Sequence, residues 1–298
     1  MNNTFRSDNR VGWLMAAPAL TGLGLFIGLP FLLALILSFT NLKLASPLPL
    51  TFVGLQHYAR ILQDPVFLRA LLNNLIFAVV VVPAQTGCAL LLALLVNRKL
   101  PGMVVFRTLF FLPVIFPFAL ISVVWMLLYA PGPNGVINSV LELLTFGFWE
   151  PQDFLHNQFL ALPAIMVVSI WQGAGFQMIV YLAGLQDISE ELYEAARLDG
   201  ANSWQQFWYV TFPCLRNTTL FVVSVTTILS FRLFDQVQIM TKGGPLNATA
   251  TVVFEAVRAA FERQQIARGS AMTVVFFIIV LCLTIFQRRL VSEDRRVG

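Results

Sequence analysis

Glu194-Ala195-Ala196-Arg197-Leu198-Asp199-Gly200-Ala201 sits at the centre of a polar stretch, residues 184–211, between apolar runs at about 159–183 and 212–234. Ser189 is placed to cap a helix through Glu190, Glu191 and Glu194, acids that the positive end of a helix dipole favours. Gly200 supplies the left-handed residue that ends it. Ser203-Trp204-Gln205-Gln206 fits a capping box for a second helix. Trp204, Phe207 and Trp208, at i, i+3 and i+4, give that helix one aromatic face. Pro213 falls near the start of the next apolar run, where a missing N–H costs little. The local chemistry fits two roles: a loop whose tryptophans rest among lipid headgroups, or a docking element whose aromatic face anchors a partner.

The chain around this island decides the fold class. It has 298 residues, 58% hydrophobic and 11% charged, against about 25% charged in a typical soluble domain. Six apolar spans, at about 11–39, 71–96, 106–129, 159–183, 212–234 and 268–286, are long enough to cross a bilayer. The first is too long for a signal-peptide core and no small-residue cleavage site comes after it, so it reads as retained. The expectation is an all-α membrane protein of six transmembrane helices. An even count puts both termini on one side. Arg6, Arg10, Arg98, Lys99, Arg107, Arg288, Arg289, Arg295 and Arg296 make that side the cytoplasm by the positive-inside rule. Residues 41–70, 130–158 and 235–267 are then external, and 97–105 and 184–211 cytoplasmic. The net charge of +4 serves topology and does not point to nucleic acid.

Within the external loops, Pro131-Gly132-Pro133-Asn134-Gly135 and Gly243-Gly244-Pro245 are turn chemistry. Phe254, Val257 and Phe261 recur at helical spacing opposite Glu255, Arg258 and Glu262, which predicts an amphipathic helix at the outer membrane surface. Cys88, Cys214 and Cys282 are scattered, and His57 and His156 stand alone, so neither a disulfide framework nor a metal site is indicated. Polar groups inside spans are informative because lipid gives them no partner. The fourth span carries Ser169, Trp171, Gln172, Gln177 and Tyr181, with Gly173 and Gly175 permitting close approach. The fifth carries Ser224, Thr226, Thr227 and Ser230, with Arg232 and Asp235 at i and i+3 able to pair at its outer end. Hydroxyl and small residues also serve helix packing. Two amides and two amphipathic aromatics in one span suggest a polar cavity that could hydrogen-bond and stack on a sugar.

The motifs then fall into a known order. Glu194-Ala195-Ala196-x-x-Asp199-Gly200-Ala201, with Phe207 and Phe212-Pro213, resembles the coupling loop of ABC importer permeases. Phe52-Val53-Gly54-Leu55-x-x-Tyr58, Phe111-Leu112-Pro113, Gly135-x-x-Asn138 and Thr241-x-Gly243-Gly244-Pro245 resemble further positions of the carbohydrate-uptake branch, in register over nearly the whole chain. The pattern is most like the larger maltose permease and the first glycerol-3-phosphate permease subunits, without the former's extra external domain.

The resemblance implies a type I ABC importer permease fold, in a bacterial or archaeal inner membrane. It divides the chain into a first span and external loop over 1–70, a permease core over 71–286 and a cytoplasmic tail over 287–298. It implies that Glu194, Ala195, Ala196, Asp199, Gly200, Ala201, Phe207 and Pro213 couple the chain to an ATPase subunit. Positions matching sugar-lining residues are Gln172, Gly173 and Phe176 on the fourth span and Thr226, Leu229, Ser230 and Leu233 on the fifth. Gln177 and Tyr181 join that path on chemistry. Ser230 and Leu233 stand where the maltose subunit has asparagines, so hydrogen-bonding reach is reduced. The implied partners are a second homologous permease, two ATPase subunits that bind ATP and Mg, and an external substrate-binding protein that delivers a carbohydrate to the loops around Pro131 and Gly243.

The residues themselves exclude other classes. No GxxxxGK[ST] segment is present, so energy must come from outside the chain. A self-contained secondary transporter or channel is the alternative, but it calls for Asp, Glu or His at mid-span. A membrane enzyme would need paired carboxylates or a nucleophile with its base, and no catalytic residue is assigned.

Overall fold

The computed structural model describes residues 4–292 apart from 45, 47, 48, 99 and 134. Lys99, Asn134, Arg295 and Arg296 therefore lie outside the described residues. Helix α1 (Thr4–Leu23) passes through a π turn (Gly24–Gly28) into α2 (Leu29–Leu37), and Gly12–Leu37 makes one apolar span. A short α3 (Gln56–Leu62) precedes α4 (Pro65–Val96), which begins six residues before the expected second span. Helix α8 (Ala161–Gln186) and the Ile266–Gln287 part of α14 (Ile266–Ser292) are the other continuous spans.

The third span is broken in two, and a second bend falls where the fifth begins. Helix α5 (Met103–Ile115) stops and α6 (Phe118–Leu128) starts at a bend of 101°. Phe116 takes an extended conformation there because it precedes Pro117, whose ring disfavours the helical region for its neighbour. In the fifth, the segment Ser203–Cys214 meets α12 (Arg216–Phe231) at 66°. A π turn over Phe207–Thr211 and the missing N–H of Pro213 both interrupt the regular ladder just before the bend. Counting each bent pair as one, the described helices make six spans.

One compact unit comprises 65–254 with 279–298. Its core forms where α4, α8 and α12 pack, around Ala89, Ala93, Ala174, Met178, Tyr181, Leu185, Leu215 and Val222. Small residues set the spacing, as close helix approach in a membrane requires. A side chain at Gly175 would run into the backbone of Phe110 on α5, and one at Gly184 into Thr218 and Leu215.

Loops of this unit are tied by buried asparagines. Asn138, on α7 (Val136–Leu144), donates to the carbonyls of Gly132 and Gln152 and accepts from Trp149 Nε1 and the Gln152 amide. On α4, Asn73 Nδ2 donates to the carbonyls of Asn247 and Ala250, both at 2.9 Å, and Asn74 Oδ1 accepts from the Val252 amide.

The other unit comprises 1–64 with 255–278. The Ser38 and Tyr58 hydroxyls share a hydrogen bond of 2.6 Å, a ring nitrogen of His57 meets the Thr40 carbonyl, and Arg268 pairs with Asp64. Here the expected amphipathic surface helix is wrong in register. Helix α13 (Val252–Val257) gives way to a π turn over Arg258–Glu262, whose extra residue per turn rotates the later side chains about the helix axis. Phe261 is consequently exposed, while Glu255 is buried, its carboxylate held by Arg258 at 3.0 Å and Arg263 at 3.5 Å.

Replacing Asn73 by Leu strips two buried carbonyls of their donor and should destabilise the fold by about 1–3 kcal/mol. Thermal unfolding of the protein in detergent measures this; an unchanged midpoint would show that the two carbonyls are satisfied some other way.

Candidate functional site

Two cavities run along α12, one after the other. The first, about 250 Å³, lies toward the C-terminal end of α12 and is lined by Phe77, Val81, Gln85, Phe118, Ser169, Gly173, Thr226, Leu229, Ser230, Arg232, Leu233, Phe234, Asp235 and Gln236. The second, about 260 Å³, lies nearer its N-terminal end and is lined by Gln85, Val114, Phe116, Pro117, Phe118, Gln172, Gly173, Phe176, Gln177, Phe221, Val222, Val225 and Leu229. The second is walled mostly by aromatic and aliphatic side chains, whereas the first mixes such side chains with amides, hydroxyls, Arg232 and Asp235.

The spacing of the expected path residues on α8 and α12 brings eight of the nine to these cavities. Thr226, Ser230 and Leu233 face the first, Gln172, Phe176 and Gln177 the second, and Gly173 and Leu229 both. Tyr181 is the exception. Its ring is fully enclosed among Ala89, Ala93, Met178 and Leu185, so it packs the core and does not line a path. Trp171 also lines neither cavity; its ring lies against Trp125, 5.5 Å away.

Several polar groups are already committed. Gln177 Nε2 donates to Thr226 Oγ1, which itself donates to the Val222 carbonyl. Gln172 Nε2 donates to the Phe116 carbonyl at 2.9 Å, the group freed where α5 ends. Gln236 Nε2 donates to Ser169 Oγ. Arg232 and Asp235 do not form the expected pair: α12 ends at Phe231, so helical i, i+3 geometry does not continue through them. Both side chains stand exposed at the end of the first cavity.

The hairpin is built as its residues demand. Helix α9 (Glu190–Leu198) is capped by Ser189, whose Oγ accepts from the Glu191 amide. Gly200 takes φ +81°, and the Ala201 amide closes the turn on the Ala196 carbonyl at 2.9 Å. The cap of α10 (Ser203–Gln206) is Asn202, one residue before the expected Ser203. Asn202 and Gln205 exchange side chain to backbone bonds of 2.8 and 2.9 Å, and Asn serves this position as well as Ser. The rings of Trp204, Phe207 and Trp208 cluster at 5.2–6.2 Å between centroids. No residue of α9 is buried; Glu194, Ala195, Asp199 and Gly200 are exposed, and Leu198, Trp204 and Tyr209 present apolar surface outward. One side-chain bond, Tyr193 hydroxyl to Thr211 Oγ1 at 2.9 Å, joins α9 to the segment that leads through Pro213 into α12.

After α12, Lys242 and Gly243 both take left-handed conformations, and Gly244-Pro245 is cis. A side chain at Gly243 would meet the ring of Phe254. Thr249 Oγ1 bonds the Gly244 carbonyl at 2.9 Å and shares a bond with Thr241 Oγ1, which locks the turn.

Residues 65–295 match the family described as binding-protein-dependent transport system inner membrane component. The chain belongs to that family. The permease is 36% identical over 274 residues to the lactose transport system permease protein LacF of Rhizobium radiobacter, covering 91% of this chain and 89% of that one. It is 30% identical over 287 residues to the sn-glycerol-3-phosphate transport system permease protein UgpA of Agrobacterium fabrum, covering 96% of each. Two crystal structures share its fold. One is a bacterial ABC transporter involved in import of the acidic polysaccharide alginate, with a TM-score of 0.81 at 22% identity over 99% of this chain and all of that one. The other is a bacterial alginate ABC transporter in complex with alginate pentasaccharide-bound periplasmic protein, with a TM-score of 0.83 at 21% identity over 98% and 97%. The fold is that of an ABC importer permease, as the motifs implied.

Sequence reasoning missed the contribution of α4 to the permease's cavities. Gln85 lines both, and it is the one residue with a long polar side chain in the apolar run Leu75–Val96. That isolation was the available signal. Gln236 was hidden by its place beyond the expected helix end.

Replacing Asn202 by Ala removes the acceptor for the Gln205 amide and should cost about 1 kcal/mol locally. Amide hydrogen exchange over residues 203–206 should accelerate about fivefold, the factor equivalent to that energy. Unchanged exchange would show that the aromatic cluster alone holds the turn.

Proposed function

We propose that the permease is one transmembrane subunit of an ATP-driven importer for a carbohydrate or related polyol, with the hairpin over 189–208 seated on an ATPase subunit. The observation that carries this is the hairpin itself. A segment with both helices capped, no buried residue in α9, and Leu198, Trp204 and Tyr209 pointing outward has the form of a preorganised docking surface. Glu194, Ala195, Ala196, Asp199, Gly200 and Ala201 shape and present it, while Phe207 and Pro213 carry it into α12.

Coupling follows from connectivity. Displacement of α9 by a closing ATPase pair reaches α12 through the Tyr193–Thr211 bond and the segment to Pro213, and α12 forms one wall of both cavities. Rigid-body movement of this wall would switch the path between two states. The described spans carry no Asp, Glu or His at mid-length, which favours an external energy source over ion coupling.

The cavities suit a neutral ligand. Aromatic walls with amides and hydroxyls stack on and hydrogen-bond a sugar, whereas an anionic ligand would want more cation than Arg232, which has Asp235 beside it. In this reading a second homologous permease supplies the facing wall and two ATPase subunits bind ATP and Mg. A substrate-binding protein delivers its cargo at the external turn of Gly243, Gly244 and Pro245. The arginine distribution supports cytoplasmic termini in this reading. The named substrates of the relatives, lactose and sn-glycerol-3-phosphate, and the alginate of the structural neighbours are all polyhydroxylated.

Gly200→Asp places a charged side chain on the exposed turn and strains its left-handed backbone. The variant should insert in the membrane at normal levels and lose uptake of the cognate solute at least tenfold. The wild-type chain, purified in mild detergent, should bring an ATPase and a second permease with it. A chain that is isolated alone and transports in liposomes would sink this reading.

A further inference from the structure

We propose that Gln85, seated on Gly173, is a polar gate in the translocation path, closing the passage between the two cavities and meeting a hydroxyl-bearing solute there. This rests on the reading of the cavities as a transport path. The two cavities share four lining residues, Gln85, Phe118, Gly173 and Leu229, so these four form the partition between them. Three are placed by apolar or backbone packing. Gln85 is different.

Its side chain is 94% buried within a span, yet no hydrogen bond to its carboxamide is formed among the described residues. A carboxamide without a protein partner is costly inside a span unless it faces an aqueous space, and Gln85 faces both cavities. Its neighbours in the same cavities, Gln172, Gln177 and Gln236, all donate to a protein acceptor. Gln85 thus has donors and an acceptor free, at the one point common to both spaces.

Its position depends on a glycine. A side chain at Gly173 would overlap the Gln85 carboxamide, so Gly173 provides the seat in which the amide closes the gap. Because no protein bond anchors the amide, swinging it aside breaks none. A hydrated solute arriving from either cavity would offer the hydroxyls that draw it out. Leu or Phe could fill the same gap but would give a passing sugar nothing to exchange for its water. An acid there would carry charge into the membrane.

The test needs no knowledge of the solute. The permease is expressed with its native partner subunits, with Cys88, Cys214 and Cys282 replaced by serine, and treated in spheroplasts and in inverted vesicles with a charged methanethiosulfonate. Ser230→Cys reports the first cavity and Val225→Cys the second. With Gln85 present, each reporter should react from one side of the membrane only. With Gln85→Ala, each should also react from the opposite side, at least ten times faster than before. Equal cross-side rates with and without Gln85 would falsify the gate. Should Gln85→Ala fail to accumulate, Gln85→Cys is compared with Val79→Cys, which faces outward on the same helix. Faster modification of Gln85→Cys supports a water-lined gate, and equal rates overturn it. ATP should also change the Ser230→Cys rate. Failure of that readout alone would remove the ATP-driven reading and leave the gate standing.

Discussion

A bilayer offers no partner to a polar group, so each one carried into a span must be satisfied inside the protein or face an aqueous space. Helix α8 is where the permease meets that demand. On its packed side, Gly175 and Gly184 bring the backbone against α5 and α12, and Ala174, Met178 and Tyr181 complete the core. On its other side Gln172 and Gln177 reach across to neighbouring elements, one to the carbonyl exposed at the end of α5 and one to Thr226. The same helix therefore fixes the spacing of its neighbours and supplies the amides of the cavity wall. The broken third span obeys the same rule: Phe116 leaves the helix, and Gln172 is there to receive its carbonyl.

The hairpin is under the opposite constraint. It stands clear of the core and is held by its own caps and turn, with one side-chain bond tying α9 back to the segment below α12. The exposed surface stays rigid through local hydrogen bonds, and it meets the segment leading into α12 through the Tyr193–Thr211 bond and the rings of Phe207 and Trp208 against Phe212.

Much of this was legible in the residues because the signals were local and chemically strong. Apolar length located the spans, Gly200 announced a left-handed turn, and Ser189 with the acids after it announced a helix start. Two of the misreadings have a different cause: they turned on where a turn falls. The π turn at Arg258–Glu262 carried Phe261 to the exposed side, and the cap fell at Asn202, one residue earlier than expected. Tyr181 looked like a cavity aromatic because its neighbours Gln172 and Gln177 are cavity amides. The helical register instead turns it into the alanine-lined seam with α4, and nothing in α8 alone specifies which side α4 occupies. Gln85 was overlooked for the converse reason: its span showed no periodicity, and its importance comes from Gly173 on another helix.

The hydroxyls of α12 have a consequence of another kind. Thr226, Thr227 and Ser230 each donate to the carbonyl four residues earlier, so their donors are spent on their own helix. Their oxygens still accept from neighbours: Thr226 Oγ1 takes the Gln177 amide of α8 and Thr227 Oγ1 the Gln287 amide of α14 at 3.0 Å, whereas Ser230 has no such tie among the described residues. The cavity face of this helix is therefore part scaffold, at Thr226, and part free to change its chemistry, at Ser230 and Leu233. A substitution at Ser230 or Leu233 thus alters the first cavity's lining while leaving the bonds between α8 and α12 in place.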